Sequence, residues 1–168
     1  VKGKILPEAV ELIVSAKDAV YTGLPYSESN LTCSGTSAPT YRYYADSNGA
    51  KSNQLDGAPI NAGTYWVEAY ASETSSTASA TSQAVRFHIE KAPLCIRAKD
   101  KTITYGETLS DNGVEINGFV NNENETVLSG LHYAFDYAQF SDIGTYTIIP
   151  MDAQAENYKI TYENGVLT

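Results

Sequence analysis

Apolar and polar positions alternate with a period of two along most of this chain. In Val85-Arg86-Phe87-His88-Ile89-Glu90 the odd positions are apolar and the even ones polar. Leu94, Ile96 and Ala98 repeat the rule, as do Tyr65, Val67 and Ala69 against Trp66, Glu68 and Tyr70. Side chains on a strand point alternately to the two faces of a sheet, so each run predicts a half-buried strand. Further strands are predicted at Glu11 to Ala16, Leu31 to Cys33, Thr40 to Tyr44, Val114 to Ile116, Tyr133 to Tyr137 and Tyr158 to Tyr162. Tyr41 and Tyr43 share one face of theirs, with Arg42 and Tyr44 on the other. Helical periodicity is nearly absent; Thr126 to Gly130 suits one helical turn ended by Gly130. Residues 72–82 are rich in Ser, Thr and Ala and read as a flexible loop or as two frayed strand ends.

Turn chemistry divides these runs. Asp46-Ser47-Asn48-Gly49 is a turn by composition. Asn164-Gly165 between alternating runs predicts a type I′ hairpin, which needs positive φ at both central residues. Two corners repeat: Asn61-Ala62-Gly63-Thr64-Tyr65-Trp66-Val67 and Asp142-Ile143-Gly144-Thr145-Tyr146-Thr147-Ile148. In each, a tyrosine stands two residues past a glycine. Gly63, Tyr65, Asp142, Gly144 and Tyr146 are therefore read as structural corner residues. Ala16-Lys17-Asp18 is mirrored by Ala98-Lys99-Asp100, and Tyr21-Thr22-Gly23 by Thr104-Tyr105-Gly106, shifted by one.

This repetition predicts an all-β chain with residues 1–9 as a leader or linker and domains at 10–91 and 92–168. Pro93 is expected to end the strand before it and to leave a short joint that restricts domain motion. Two small immunoglobulin-like β-sandwiches fit the many short strands; a β-grasp arrangement of either unit fits the same pattern.

Composition sharpens the picture only in places. The chain of 168 residues holds 13 Tyr against 4 Phe and 1 Trp, a bias toward pleated, half-buried surfaces. Net charge is −9, which disfavours nucleic acid and anionic membrane as partners. The charge is uneven: residues 1–91 carry 7 basic and 9 acidic groups (net −2), residues 92–168 carry 4 and 11 (net −7). Cys33 and Cys95 are far apart and form no metal-binding spacing, so thiols acting as small hydrophobes are expected. The start, Val1-Lys2-Gly3-Lys4, has neither initiator Met nor an apolar signal region, and a piece of a longer or processed protein is expected.

Catalysis has little to stand on. His88 and His132 are the only histidines and neither lies in a nucleophile motif. No cofactor motif is present, and no catalytic or metal-ligating set is assigned. Asp46-Ser47-Asn48 and Asn121 to Glu125 offer hard oxygen atoms but lack the spacing of a calcium loop. Trp66 and Tyr70 share one side of their strand and, with Tyr41, Tyr43 and Tyr44 of another, make a candidate aromatic face for a glycan or a protein; Trp66, Tyr70 and Tyr44 are the candidate ligand residues.

Asp142-x-Gly144-x-Tyr146 resembles the tyrosine corner of immunoglobulin-like domains, in which the phenol bonds back to nearby backbone. The cysteine that follows in antibody domains is replaced by Val67 and Ile148, as is usual in bacterial modules. Residues 91–168 resemble the MBG-type domain (YGX variety) of bacterial surface proteins. The likeness rests on Lys91-Ala92-Pro93-Leu94, Thr104-Tyr105-Gly106-Glu107, Gly118-Phe119-Val120-Asn121, Val127-Leu128-Ser129-Gly130, Gly144-Thr145-Tyr146, Ala155-Glu156-Asn157-Tyr158 and Asn164-Gly165-Val166-Leu167-Thr168. Residues 10–91 look like a more distant relative. The resemblance implies a non-catalytic tandem module of an exported, extracellular cell-surface protein, serving as stalk or adhesive segment beside neighbouring domains of the same chain. The alternatives are a carbohydrate- or mucin-binding module using the Trp66 face, or an accessory domain of a surface hydrolase.

Overall fold

A computed structural model describes residues 7–34, 38–110 and 113–168. Strands and isolated bridges account for 49% of the described residues, and among these there is no α-helix, so the protein is all-β. It divides into two compact units, Val1–Glu90 and Lys91–Thr168.

The first unit contains β1 (Leu12–Ala16), β2 (Ala19–Val20), β3 (Ser29–Cys33), β4 (Thr40–Ser47), β5 (Ala50–Gln54), β6 (Gly63–Ala71), β7 (Ala80–Thr81) and β8 (Val85–Glu90). β1 and β3 form one antiparallel pair; the larger sheet runs β2-β8-β6-β4-β5, with β7 on β6. Leu12 and Val14 of β1 are buried with Tyr43, Val67, Ala69, Phe87 and Ile89 of the larger sheet. Their partners in the alternation, such as Ile13, Arg86 and His88, face solvent.

The second unit contains β9 (Ala92–Ala98), β10 (Val114–Asn117), a 3₁₀ turn at Glu125–Val127, β11 (His132–Phe135), β12 (Tyr146–Met151), β13 (Tyr158–Glu163) and β14 (Gly165–Leu167). Two three-stranded sheets, β10-β9-β13 and β11-β12-β14, bury Ala98 of one against Ile148 and Leu167 of the other.

The two units share a plan of pairings. The opening strand pairs antiparallel with the next long one (β1 with β3, β9 with β10). The corner strand pairs antiparallel with an earlier strand and with the last strand (β6 with β4 and β8, β12 with β11 and β14). The chain just past the opening strand runs parallel to the last one: β2 beside β8, and Lys101 bridged to Leu167. In the second unit β13 lies parallel to β9, beginning at Tyr158↔Ala92. The first unit keeps a one-residue trace of this, a parallel bridge between Glu8 and Thr77.

Several sequence expectations need correction. Glu8, placed in a leader, is tied into the first unit by that bridge; residues 1–6 lie outside the described residues. Residues 72–82 are not a loose loop: Thr77 is 2% exposed and bonds Thr74 Oγ1 at 2.6 Å, and β7 pairs with β6. Pro93 ends no strand. It is the second residue of β9, two residues beyond the last β10 pair (Asn117↔Cys95), where its missing N–H breaks no bond to β10. The helical turn closes at Leu128 rather than Gly130. Strand β5 escapes the sequence reading altogether, because Ala50-Lys51-Ser52-Asn53-Gln54 has no apolar alternation.

The Asn-Gly expectation also fails. β13 and β14 belong to different sheets, so Asn164-Gly165 is a crossover between sheets and not a hairpin. Neither residue has positive φ. Gly165 is needed for closeness instead: a Cβ there would lie 2.7 Å from the Ala98 carbonyl oxygen. The two-residue hairpin is Asn48-Gly49, with φ of 53° and 82° and Ser47 paired to Ala50.

Candidate functional site

The face that carries Trp66, Tyr70 and Tyr44 is the side of the larger sheet turned away from β1 and β3. Register sets its rows: Tyr44 opposite Trp66, Arg42 opposite Glu68, Trp66 opposite Arg86, and Asp46 opposite Lys51. All three aromatic residues therefore lie on one surface. The structure adds a polar network between them, which sequence reasoning missed because its members come from four strands.

Glu68 is at its centre. It is 5% exposed, takes a hydrogen bond from Tyr44 Oη at 2.6 Å, and is ion-paired to Lys51 Nζ. Burial acts to raise the Glu68 pKa. The Lys51 ammonium, the Tyr44 hydroxyl and the Arg42 charge together outweigh burial and hold the carboxyl below the ordinary glutamate value. Burial and that same carboxylate push the Tyr44 phenol up. Asp46 accepts from Gly49 N at 3.0 Å, Arg86 Nε at 2.9 Å and Trp66 Nε1 at 2.8 Å. The Gly49 amide, Arg86 and Trp66 lower its pKa.

The rings are covered by cations of their own unit. The Arg42 guanidinium lies 3.4 Å from the Tyr70 ring centroid, and Lys51 Nζ 4.3 Å from that of Tyr44. Tyr44 is buried, while Trp66 and Tyr70 are half-buried. This face supplies satisfied donors, acceptors and ion pairs. It has no nucleophile paired with a base.

The loop oxygens considered for calcium have partners too. Asp46 is engaged as above, Asn124 Oδ1 caps Thr126 N at 3.0 Å, and the Glu123 carboxylate accepts from the Tyr158 hydroxyl. Among the described residues no three His, Cys, Asp or Glu side chains converge as a metal site. Cys33 and Cys95 are half-buried thiols, and Cys33 Sγ donates to the Ser34 carbonyl at 3.3 Å.

The two corners close alike. Tyr65 Oη donates to the Asn61 carbonyl at 3.0 Å, and Tyr146 Oη to the Asp142 carbonyl at 2.6 Å. Both bonds span four residues. The glycines differ, since a Cβ on Gly63 would meet Tyr65 Oη at 3.1 Å whereas Gly144 faces open space. In the second unit Tyr105-Gly106-Glu107 forms a turn beside this corner, with Glu107 Oε2 accepting from Thr104 N at 2.8 Å. Residues 94–168 match the family model of the MBG domain (YGX type). The MBG unit thus begins inside β9 and takes in every strand after it, together with the second tyrosine corner. No curated protein matches the chain. The MBG domain is a repeat-type module of surface proteins. Among the described residues no helix is long and apolar enough to cross a membrane.

Proposed function

We propose that the two units are immunoglobulin-like sandwiches and that the chain is a non-catalytic, load-bearing spacer or adhesive segment of an exported, extracellular surface protein. One observation carries the reading. In both units, chain just past the opening strand runs parallel to the last strand. Tyr21 N bonds Glu90 O at 2.8 Å in the first. In the MBG unit Lys101 N bonds Val166 O at 2.8 Å, Thr168 N bonds Lys101 O at 2.9 Å, and Ile103 N bonds Thr168 O at 2.8 Å. When the two ends of such a unit are drawn apart, parallel strands slide along each other. Their hydrogen bonds then resist together instead of opening one at a time.

The MBG match supports the same reading. Single-molecule pulling on the ends of the full chain tests it. The expected record is two separate unfolding events, each releasing on the order of 250 Å of chain at about 3.4 Å per residue. Smooth extension without force peaks overturns it.

A further inference from the structure

Beneath the tyrosine corner of the MBG unit lies a cavity of about 210 Å³. Its wall is mostly apolar, formed chiefly by Ile103, Tyr105, Tyr137, Ile143, Tyr146 and Leu167. The first unit shows what this fold can place there. Tyr65 is paired with Phe87 as Tyr146 is with Leu167. In the first unit the Tyr26 ring stacks on Phe87, with centroids 4.0 Å apart and planes 20° apart. In the MBG unit the smaller Leu167 stands in place of Phe87, fully buried in the inner wall of the cavity. Tyr137 packs edge-on against Tyr146 at 5.2 Å, and the cavity remains beside it.

The rim is unusually apolar for a surface. Tyr105 is 65% exposed, Phe140 64% and Ile143 94%. The Tyr105 and Phe140 rings meet edge to face at 6.1 Å. Phe140 has φ of 69°, a conformation that bulky residues rarely adopt. Gln139 Nε2 holds this loop to the Gly106 carbonyl at 2.8 Å. Large apolar groups clustered on a surface mark contact sites, whereas scattered ones do not.

Size and charge define the occupant. Drug-sized ligands take pockets of about 300 Å³ or more, so this one fits a single side chain. Aromatic anchors with a polar tip are the usual occupants of such pockets. Asp142 lines the cavity and Glu107 is bonded to its rim, and among the described lining residues none is Lys or Arg. Carboxylates here favour basic neighbours on the incoming chain.

We propose that the cavity under the second corner is a socket for one aromatic side chain of a partner polypeptide with basic flanking residues. The socket goes beyond the spacer reading and does not depend on it. The test is ¹⁵N NMR titration of the full 168-residue chain with acetyl-Lys-Tyr-Lys-amide, acetyl-Lys-Ala-Lys-amide and acetyl-Glu-Tyr-Glu-amide. The first peptide should shift the amides of Tyr105, Ile143, Tyr146 and Leu167 saturably. The alanine peptide should not, and the glutamate peptide should bind about fivefold more weakly. Leu167→Phe, which puts the first unit's residue into the socket, should remove the shifts. Should that variant fail to fold, Ile143→Ser at the exposed rim should still weaken binding about threefold. Equal shifts from the alanine peptide, shifts spread away from the socket, or no saturable shift overturn the proposal. So does signal broadening with protein concentration alone that Ile143→Ser relieves, which would assign the surface to self-association.

Discussion

Asp18 Oδ1 accepts the backbone amide of His88 at 2.7 Å, joining the turn after the first strand to the last strand of its unit. Asp100 does the same for Val166 N at 2.8 Å in the MBG unit. The aspartate stands two residues past the opening strand in both cases. An amide opposite a carboxylate is thus a second repeat marker beside the tyrosine corner.

Replacing Asp100 with Ala should destabilise the MBG unit by about 1 kcal/mol, the usual worth of a solvated hydrogen bond. Asp100→Asn keeps an acceptor and should recover most of that. Urea unfolding followed by NMR, with signals assigned to each unit, checks both. An equal loss in the two variants would show that the side-chain acceptor is not what matters.

Gly165→Ala should cost about 1–3 kcal/mol, as forced overpacking does, because its Cβ would meet the Ala98 and Lys99 carbonyl oxygens at 2.7 and 2.9 Å. Both oxygens are backbone, so neither can swing aside. The loss should be confined to signals of the MBG unit.

Glu68 makes the first unit acid-sensitive. Its folded pKa is lowered despite burial, because Lys51, Tyr44 and Arg42 together outweigh desolvation. The stability it contributes is therefore full above the unfolded glutamate pKa of about 4.3 and is lost as pH falls through the lower folded value. Asp46 acts in the same direction. Thermal melts between about pH 2 and 7 should fall steeply at the acid end in the wild type. In Glu68→Gln they should be less steep there, and lower near neutrality by about 1–2 kcal/mol. That figure is discounted because Lys51 is partly exposed. An unchanged acid limb in the variant would remove Glu68 from this account.

Trp66 is the chain's only tryptophan, so its fluorescence should follow the first unit alone. Its indole is bonded to Asp46, and the neighbouring rings already carry Arg42 and Lys51. On the spacer reading, a glycan array should give no signal that Trp66→Ala abolishes. A signal lost on that substitution would make this face a carbohydrate site.

How much of this was legible in the sequence depends on what fixes each element. Val85–Glu90 and the Leu94-to-Ala98 part of β9 bury one face, so their alternation predicted them directly, while Ala92 and Pro93 at the start of β9 were read as the joint. The corners were visible because each is closed by local bonds over four residues. Asn48-Gly49 and Asn164-Gly165 separate local from distant causes. The same dipeptide makes a hairpin where both φ are positive, and elsewhere a glycine that admits two carbonyls from a remote strand. The polar network on the Trp66 face could not be read, since Asp46, Lys51, Glu68 and Arg86 meet only after four strands are in register. The socket was hidden for the same reason: Ile103, Tyr137, Ile143, Tyr146 and Leu167 meet around it only once the fold has formed.

Strand β5 was missed for its polarity, and that polarity has a use. It is an edge of the larger sheet, and an edge strand offers unpaired backbone groups to any neighbouring chain. Two like units joined in one chain hold their edges at high effective concentration, on the order of millimolar for short links. An edge written Ala50-Lys51-Ser52-Asn53-Gln54, with a lysine anchored inward to Glu68, has no apolar face to offer a foreign strand. The feature that conceals this strand from pattern reading thereby guards repeated modules against strand exchange and aggregation.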